Sequence, residues 1–444
     1  MLDKILNLLL IIALAFLAFL GGALVVMTKS FPYALLDQAY DYTYERVTGA
    51  YQRRFQDKEL EGFTEIWRPA RTDRRGVTVY KPSEAYHGLT LVSVDLLNTT
   101  KLRLLSMDGK VAHEWVFARR GIWEDARPGD FFFLDYAHLY PNGDLLLQYA
   151  GKALVKIDRN SNIIWTYLAY VHHHLDVTDD GTVYTLYHEG RHKRFKRYAQ
   201  IELPRLDDYV VVLSPDGEQI NKVSIVDALA RSPYGRMLRS TSWNSQHDFL
   251  HTNSIEFIDR AAAAQLPFAK EGQVLLSMRE IDTIAVMDLE KEEIVWATQG
   301  SWQRQHDADI LPNGHILLFD NRGHYGPGGG SRVIEVDPVT QEIVWSYAGD
   351  ANHRFESAVR SGQQRLPNGN TLITESDGGR LLEVTRGGEI VWEYITPVRV
   401  GNRGQRTVSL WLGSARIARE SLDPEFLGFI NQPKPPTQAS AGEQ

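Results

Sequence analysis

Histidine is the chemically suggestive residue of this chain, because its copies fall at related places. His138, the run His172-His173-His174, His247, His251 and His306 each lie near the start of a short β-rich unit. His173 and His306 share a register, each eight residues before a turn glycine, Gly181 and Gly314. A near-neutral imidazole can serve as nucleophile, as proton carrier or as metal ligand. The carboxylates Asp307 and Asp309 beside His306 recur only in part, at Asp176 and Asp248, so a metal is not expected. One such histidine read singly is a satisfied polar core residue. Four units carrying histidine at one level argue for a site. The sixth unit has Ser361-Gly362-Gln363-Gln364 there and no histidine.

The elements that must position these side chains show in a repeated phrase, a polar turn followed by an apolar strand ending in tryptophan. It reads MDGKVAHEW to Trp115, IDRNSNIIW to Trp165, MDLEKEEIVW to Trp296, VDPVTQEIVW to Trp345 and VTRGGEIVW to Trp392. LSPDGEQINKVSI, near Val223, keeps the turn without the tryptophan. Repetition at roughly 50 residues marks stacked units, each too small to bury its own apolar face. Asn-Gly and Asp-Gly turns at Gly143, Gly181, Gly217, Gly314 and Gly369 separate short apolar runs. Four antiparallel strands per unit, six times over, predict an all-β, six-bladed β-propeller rather than an open solenoid. The blades are expected near residues 77–117, 135–168, 172–226, 250–297, 306–348 and 357–395. The first strand of each would line the central channel, which gathers residues distant in sequence on one axis. The last stretch, 404–430, strand-like at RTVSLWLG, is expected to close the ring or line one side of it.

The rest of the chain reads as appendages. Residues 5–27 are apolar apart from Asn7, long enough at about 1.5 Å per residue to cross a bilayer core of about 30 Å. They exceed a usual signal-peptide core and no clean small-x-small site follows, so an uncleaved transmembrane anchor over 1–28 is expected. Residues 33–59, within a 29–76 linker, have the mixed three- and four-residue apolar spacing of a helical stalk. The propeller is assigned to 77–430 and a disordered tail to 431–444. Among 444 residues the net charge is −8, which argues against a nucleic-acid partner, and the basic run 191–197 is read as a solvated loop. There is no cysteine, hence no disulfide and no thiolate metal site.

Three segments together resemble the bacterial arylsulfate sulfotransferases. They are QHDADILPNGHILLFDNRG (305–323), His251-Thr252-Asn253, and LLSMREIDTIAVMDLEKEEIVW (275–296). The resemblance covers about residues 80–430. It implies a six-bladed propeller that moves a sulfuryl group from an aryl sulfate donor to a phenolic or other hydroxyl acceptor through a sulfohistidine, with no cofactor. His306 matches the nucleophile. His251 and Asn253 match the motif that holds sulfate oxygens, and Arg279 matches the channel arginine. His173 matches a further channel histidine, with His172, His174 and His138 competing for that place. His138, His174 and Arg322, with Arg304 close by, are candidates for binding the donor. The residue types suit this chemistry, since a loose transition state needs positioning and charge stabilisation, and a guanidinium fork can hold two oxygens. The resemblance implies a periplasmic propeller, which together with the expected anchor gives an inner-membrane protein facing the periplasm, although a membrane anchor is not the family's usual arrangement. The rival readings are a non-catalytic scaffold docking envelope proteins through its stalk and the alanine-rich insertion 259–272, and a quinone- or metal-dependent propeller enzyme. The units lack a regular glycine–tryptophan stacking pattern of the latter kind.

Overall fold

A computed structural model describes residues 2–28, 30–31, 67–96, 99–118, 134–195, 197–198, 200–201, 203–241, 248–400, 406–408 and 414–432. The expected stalk, the tail beyond 432 and His247 lie outside the described residues. The chain divides into two units, Met1–Thr64 and Glu65–Gln444. In the first, Leu2–Thr28 forms one α-helix. Its described apolar side chains, among them Leu9, Ile11, Phe16, Phe19 and Leu24, are exposed around its whole circumference. Among the described residues no helix is long and apolar enough to cross a membrane.

The second unit is a six-bladed propeller. Blade two comprises Leu134–Leu139, Leu145–Tyr149, Ala153–Ile157 and Ile163–Leu168; blade three, Val171–Val177, Val183–Arg191, Arg205–Leu213 and Gln219–Ser224. Blade four comprises Thr252–Phe257, Val274–Met278, Thr283–Asp288 and Glu293–Gln299; blade five, His306–Ile310, Ile316–Asp320, Arg332–Val336 and Ile343–Ala348. Each is an antiparallel meander whose first strand lies innermost, against the first strands of its neighbours.

Ring closure differs from the sequence expectation. Gly76–Tyr80, expected to open blade one, is the fifth and outermost strand of blade six, beside Ile390–Ile395. The other strands of that blade are Gly362–Arg365, Thr371–Glu375 and Arg380–Val384. The innermost strand of blade one is Ala415–Ile417, paired with Leu89–Leu96, and Thr99–Leu105 and Val111–Ala118 complete it. The chain thus fastens its ring at both edges. Of the stretch 404–430 expected to close the ring, Ala415–Ile417 does so, while Arg406–Val408 pairs with Trp67–Pro69 in a separate three-stranded sheet. Arg416 anchors the closing strand: its Nη1 lies 3.1 Å from Glu383 Oε2, both side chains wholly buried, and its Nε donates to Thr90. Helix Pro424–Asn431 seats Phe426 over Gly143, where an added Cβ would lie 2.4 Å from the ring. Gly143 also has φ +88°, so both space and backbone exclude other residues.

The repeated tryptophan is a latch between blades. Trp115 donates its indole N–H to Gly143 O, Trp165 to Pro215 O, Trp345 to Arg386 O and Trp392 to Met107 O, in each case a turn carbonyl of the next blade. Trp296 instead stacks on Phe268 of the insertion, centroids 4.0 Å apart. That insertion is a short helix, Arg260–Gln265, with Asp259 as its N-cap, and Ala262, Ala263 and Phe268 pack against the blade-four core. Near the axis a second device recurs. A half-buried carboxylate on one innermost strand accepts a backbone N–H from the next: Asp135 from His173, Asp176 from Phe257, Glu256 from Ile310 and Asp307 from Gln363. Of the acids that recur in part along the sequence, Asp176 and Asp307 therefore clamp adjacent blades.

Candidate active site

The innermost strands begin irregularly. Pairing shifts register between His172 and Leu175, between Thr252 and Ser254, and between His306 and Asp309. His173, His251 and Asp307 have positive φ, 59°, 49° and 55°, a costly conformation for side chains of this kind. Such bulges re-aim side chains without ending the strand, and they occur preferentially beside active sites. Here they turn histidines from three blades toward one another.

His306 is almost wholly buried at the start of blade five. Its Nδ1 lies 2.8 Å from Asn321 Oδ1 and 3.1 Å from Arg304 O, both acceptors. The Asn321 amide cannot be turned round, because its Nδ2 donates to Ser357 O at 2.8 Å and Arg360 O at 2.9 Å. Nδ1 of His306 therefore carries the hydrogen and Nε2 the lone pair. Burial, then the nearby Arg279 charge, hold the imidazole well below its usual range, so it stays neutral. A neutral ring with one orientated lone pair is what an imidazole nucleophile requires.

His251 faces His173, ring centroids 4.5 Å apart and edge to face. Its Nδ1 is held by Asp248 Oδ2, while its buried Nε2 has no hydrogen-bond partner among the described residues. Burial pushes the Asp248 carboxyl up, but His251 and His188 hold it well below the usual carboxylate range. A carboxylate orienting an imidazole whose other nitrogen is uncommitted has the form of a proton-transfer pair. His173 is likewise held neutral, by burial and then by His251, and its Nδ1 lies 2.8 Å from that of His172.

The other predicted residues take varied places. Arg279 acts on His306 through its charge, but its Nε and Nη2 both donate to Glu280 Oε1, at 3.0 and 2.6 Å. Arg304 pairs with the same carboxylate. Asn253 is fully buried and spends its Nδ2 on Gln305 O, 2.8 Å away, so it fixes the strand entry to His306 and its amide N–H is committed to the backbone. His174 points elsewhere, with Nδ1 against Ile255 O and Nε2 3.5 Å from Asp307. His138 lies three residues beyond Asp135, roughly 10 Å along its strand, edge-on to Tyr140. Arg322 is exposed. The structure thus brings together His173, His251, His306 and Arg279, and leaves His138, His174 and Arg322 outside the group. Sequence reasoning missed Asn321, Glu280, His188 and Asp208, which sit on second and third strands or after them, away from the blade starts. A cleft of about 400 Å³ lined by Asp176, Asp179, Asp180 and Asp259 opens at the other end of the innermost strands and is ill suited to an anion.

Solved propellers resemble this chain weakly. A protein of unknown function from Bacteroides caccae is 13% identical at TM-score 0.46, over 70% of this chain and 94% of its own. The WD40 β-propeller domain of Doa1 is 12% identical at 0.41, over 76% and 94%. A catalytically inactive virginiamycin B lyase from Staphylococcus aureus with quinupristin is 11% identical at 0.36, over 60% and 71%. Likeness of this order carries no functional information. No curated protein matches. The arylsulfotransferase (ASST) family profile, however, matches residues 136–397. That span takes in every strand that carries a histidine of the cluster and exceeds half of the sequence, so the chain belongs to the arylsulfotransferase family.

Proposed function

We propose that this protein is a membrane-anchored aryl-sulfate sulfotransferase that works through a sulfohistidine at His306. The observation that carries the reading is the fixed Nδ1–H of His306, which leaves a buried Nε2 lone pair beside Arg279 and the His251–Asp248 pair. In the first half-reaction His306 Nε2 forms a bond to sulfur while the bond from sulfur to the aryl oxygen breaks. The electron pair leaves on the phenolate, and His251 gives it a proton from Nε2 while Asp248 balances the imidazolium. In the second, His251 takes the proton of the incoming phenol, whose oxygen attacks sulfur as the nitrogen–sulfur bond breaks. Arg279 and Arg304 supply positive charge at the non-bridging oxygens once donor displaces them from Glu280. Two half-reactions on a covalent enzyme give ping-pong kinetics.

Anchoring rests on helix Leu2–Thr28, apolar on all sides, as suits a helix surrounded by lipid. We place the propeller on the periplasmic side of the inner membrane. Incubation with an aryl sulfate followed by intact-mass measurement tests the chemistry. The wild type gains one sulfo group and His306→Ala gains none; equal labelling of both, or of neither, refutes the mechanism.

A further inference from the structure

Behind His173 lies a second group of polar side chains that the sulfuryl mechanism does not use. His172, His188 and Asp208 are all buried, and one ligand-type atom of each lies within 4.8 Å of the others. His172 and His188 come from adjacent strands of blade three and Asp208 from the third strand, opposite His188 in the ladder. Of the polar atoms here, His172 Nε2 has no hydrogen-bond partner among the described residues, while His188 Nε2 and Asp208 Oδ1 have only each other. His188 Nε2 and Asp208 Oδ1 lie 2.9 Å apart and pair with each other when the ring is protonated, so a cation there would take the place of that proton. Buried polar atoms without partners are rare and call for an explanation.

The remaining atoms of two of these side chains are, by contrast, committed. Asp208 Oδ2 accepts from Thr252 N at 2.8 Å, and His172 Nδ1 lies 2.8 Å from His173 Nδ1. Each side chain is fixed through one atom and presents the other inward, the arrangement by which outer partners orient metal ligands. With bonds of about 2.0–2.1 Å, the edge of a tetrahedral site is about 3.3–3.4 Å; the ligand atoms lie within 4.8 Å of one another, and because the His172 and His188 rings are stacked with centroids 3.5 Å apart, one ring must turn out of the stack for both to meet one ion. The group is not sealed: Asp248 borders it, with Oδ1 3.8 Å from His188 Nε2, and that side chain is 20% exposed.

We propose that His172, His188 and Asp208 bind one divalent first-row transition cation, of which zinc is the probe, as a site distinct from the sulfuryl pocket. Two imidazoles and a carboxylate are borderline ligands that favour such ions over calcium or magnesium, which prefer oxygen donors. A cation on His172 Nε2 places that ring's hydrogen on Nδ1, where it donates to His173 Nδ1. His173 then carries its own hydrogen on Nε2. The metal would orient a histidine of the neighbouring site without touching substrate.

The test uses the full-length protein and is independent of activity. The purified chain is stripped with chelator, incubated with Zn²⁺, desalted and analysed for metal; parallel samples receive Mg²⁺ or Ca²⁺. One zinc per chain is expected, with a rise in Tm of about 3 °C or more that Mg²⁺ and Ca²⁺ do not reproduce. His188→Ala and Asp208→Asn should each lower zinc affinity at least about tenfold. Should either variant fail to fold, Co²⁺ loading of the wild type gives a second readout: intense visible bands of a tetrahedral ion. Less than a tenth of an equivalent of zinc in the wild type overturns the proposal, as does undiminished binding in a folded His188→Ala/Asp208→Asn double variant. Loss of sulfuryl transfer with metal retained would refute the catalytic reading alone.

Discussion

Replacing Asn321 by leucine, which has nearly the same shape, removes the amide that fixes the His306 tautomer. His306 Nδ1–H then keeps only Arg304 O, at 3.1 Å, in place of a 2.8 Å bond to Asn321 Oδ1. Withdrawing one partner from a buried hydrogen-bonded group costs about 1–3 kcal/mol. If that cost falls on the reactive tautomer, at about 1.4 kcal/mol per tenfold, the population with a free Nε2 falls about 5- to 150-fold. The expected result is a fall of one to two orders of magnitude in the single-turnover rate of phenolate release, with the donor concentration at half-maximal rate changed less than about threefold. Ser357 O and Arg360 O also lose their donor, so a loss of stability is expected and is measured separately by denaturant titration. Asn321→Asp separates the two effects. Its carboxylate still accepts from Nδ1–H, but it favours the imidazolium, so the acid limb of the rate profile moves to higher pH while the alkaline rate recovers in part. A folded Asn321→Leu protein that releases phenolate within threefold of the wild-type rate would refute the tautomer argument.

Two further perturbations probe the ring itself. Burial pushes the Asp307 carboxyl up to about 7, so from pH about 4 to 7 the folded protein holds a proton that the unfolded chain has released. Wild-type stability therefore falls as pH rises through this window, and Asp307→Asn, spared that fall, should gain on the wild type by up to about 4 kcal/mol between pH 4 and 7; a pH-independent difference would show the reasoning wrong. Glu383→Gln strands the buried Arg416 guanidinium, at a cost of about 3–5 kcal/mol by chemical denaturation, and Arg416→Met added to it should restore part of the loss. A cost below about 1 kcal/mol would mean that the closing strand is held by other contacts.

Much of this molecule was legible because the propeller repeats its solutions. The tryptophan phrase recurs because four of its copies latch a blade to the next turn, and the turn glycines recur because a hairpin needs positive φ. His173 and His306 could be aligned by counting back to those glycines. The closing of the ring could not be read in that way. Gly76–Tyr80 has the composition of any outer strand, and nothing local distinguishes the outer edge of blade six from the start of blade one. Ala415–Ile417 is too short to show a period, and its place is set by pairing across more than 300 residues of sequence.

The sequence by itself determined the number of blades, the polarity of the turns and the supply of histidine at the blade starts, since each depends on residues close along the chain. Tertiary structure alone decided which histidines meet. Bulges with positive φ turn His173 and His251 inward and set His306 beside them, while the same alternation of faces sends His174 toward Ile255 and Asp307. It also decided what each side chain is free to do: Asn321 selects the His306 tautomer, Glu280 occupies two arginines, and Asn253 spends its donor on Gln305. Those choices depend on hydrogen-bond partners brought in from other strands, and spacing along one strand carries no record of them.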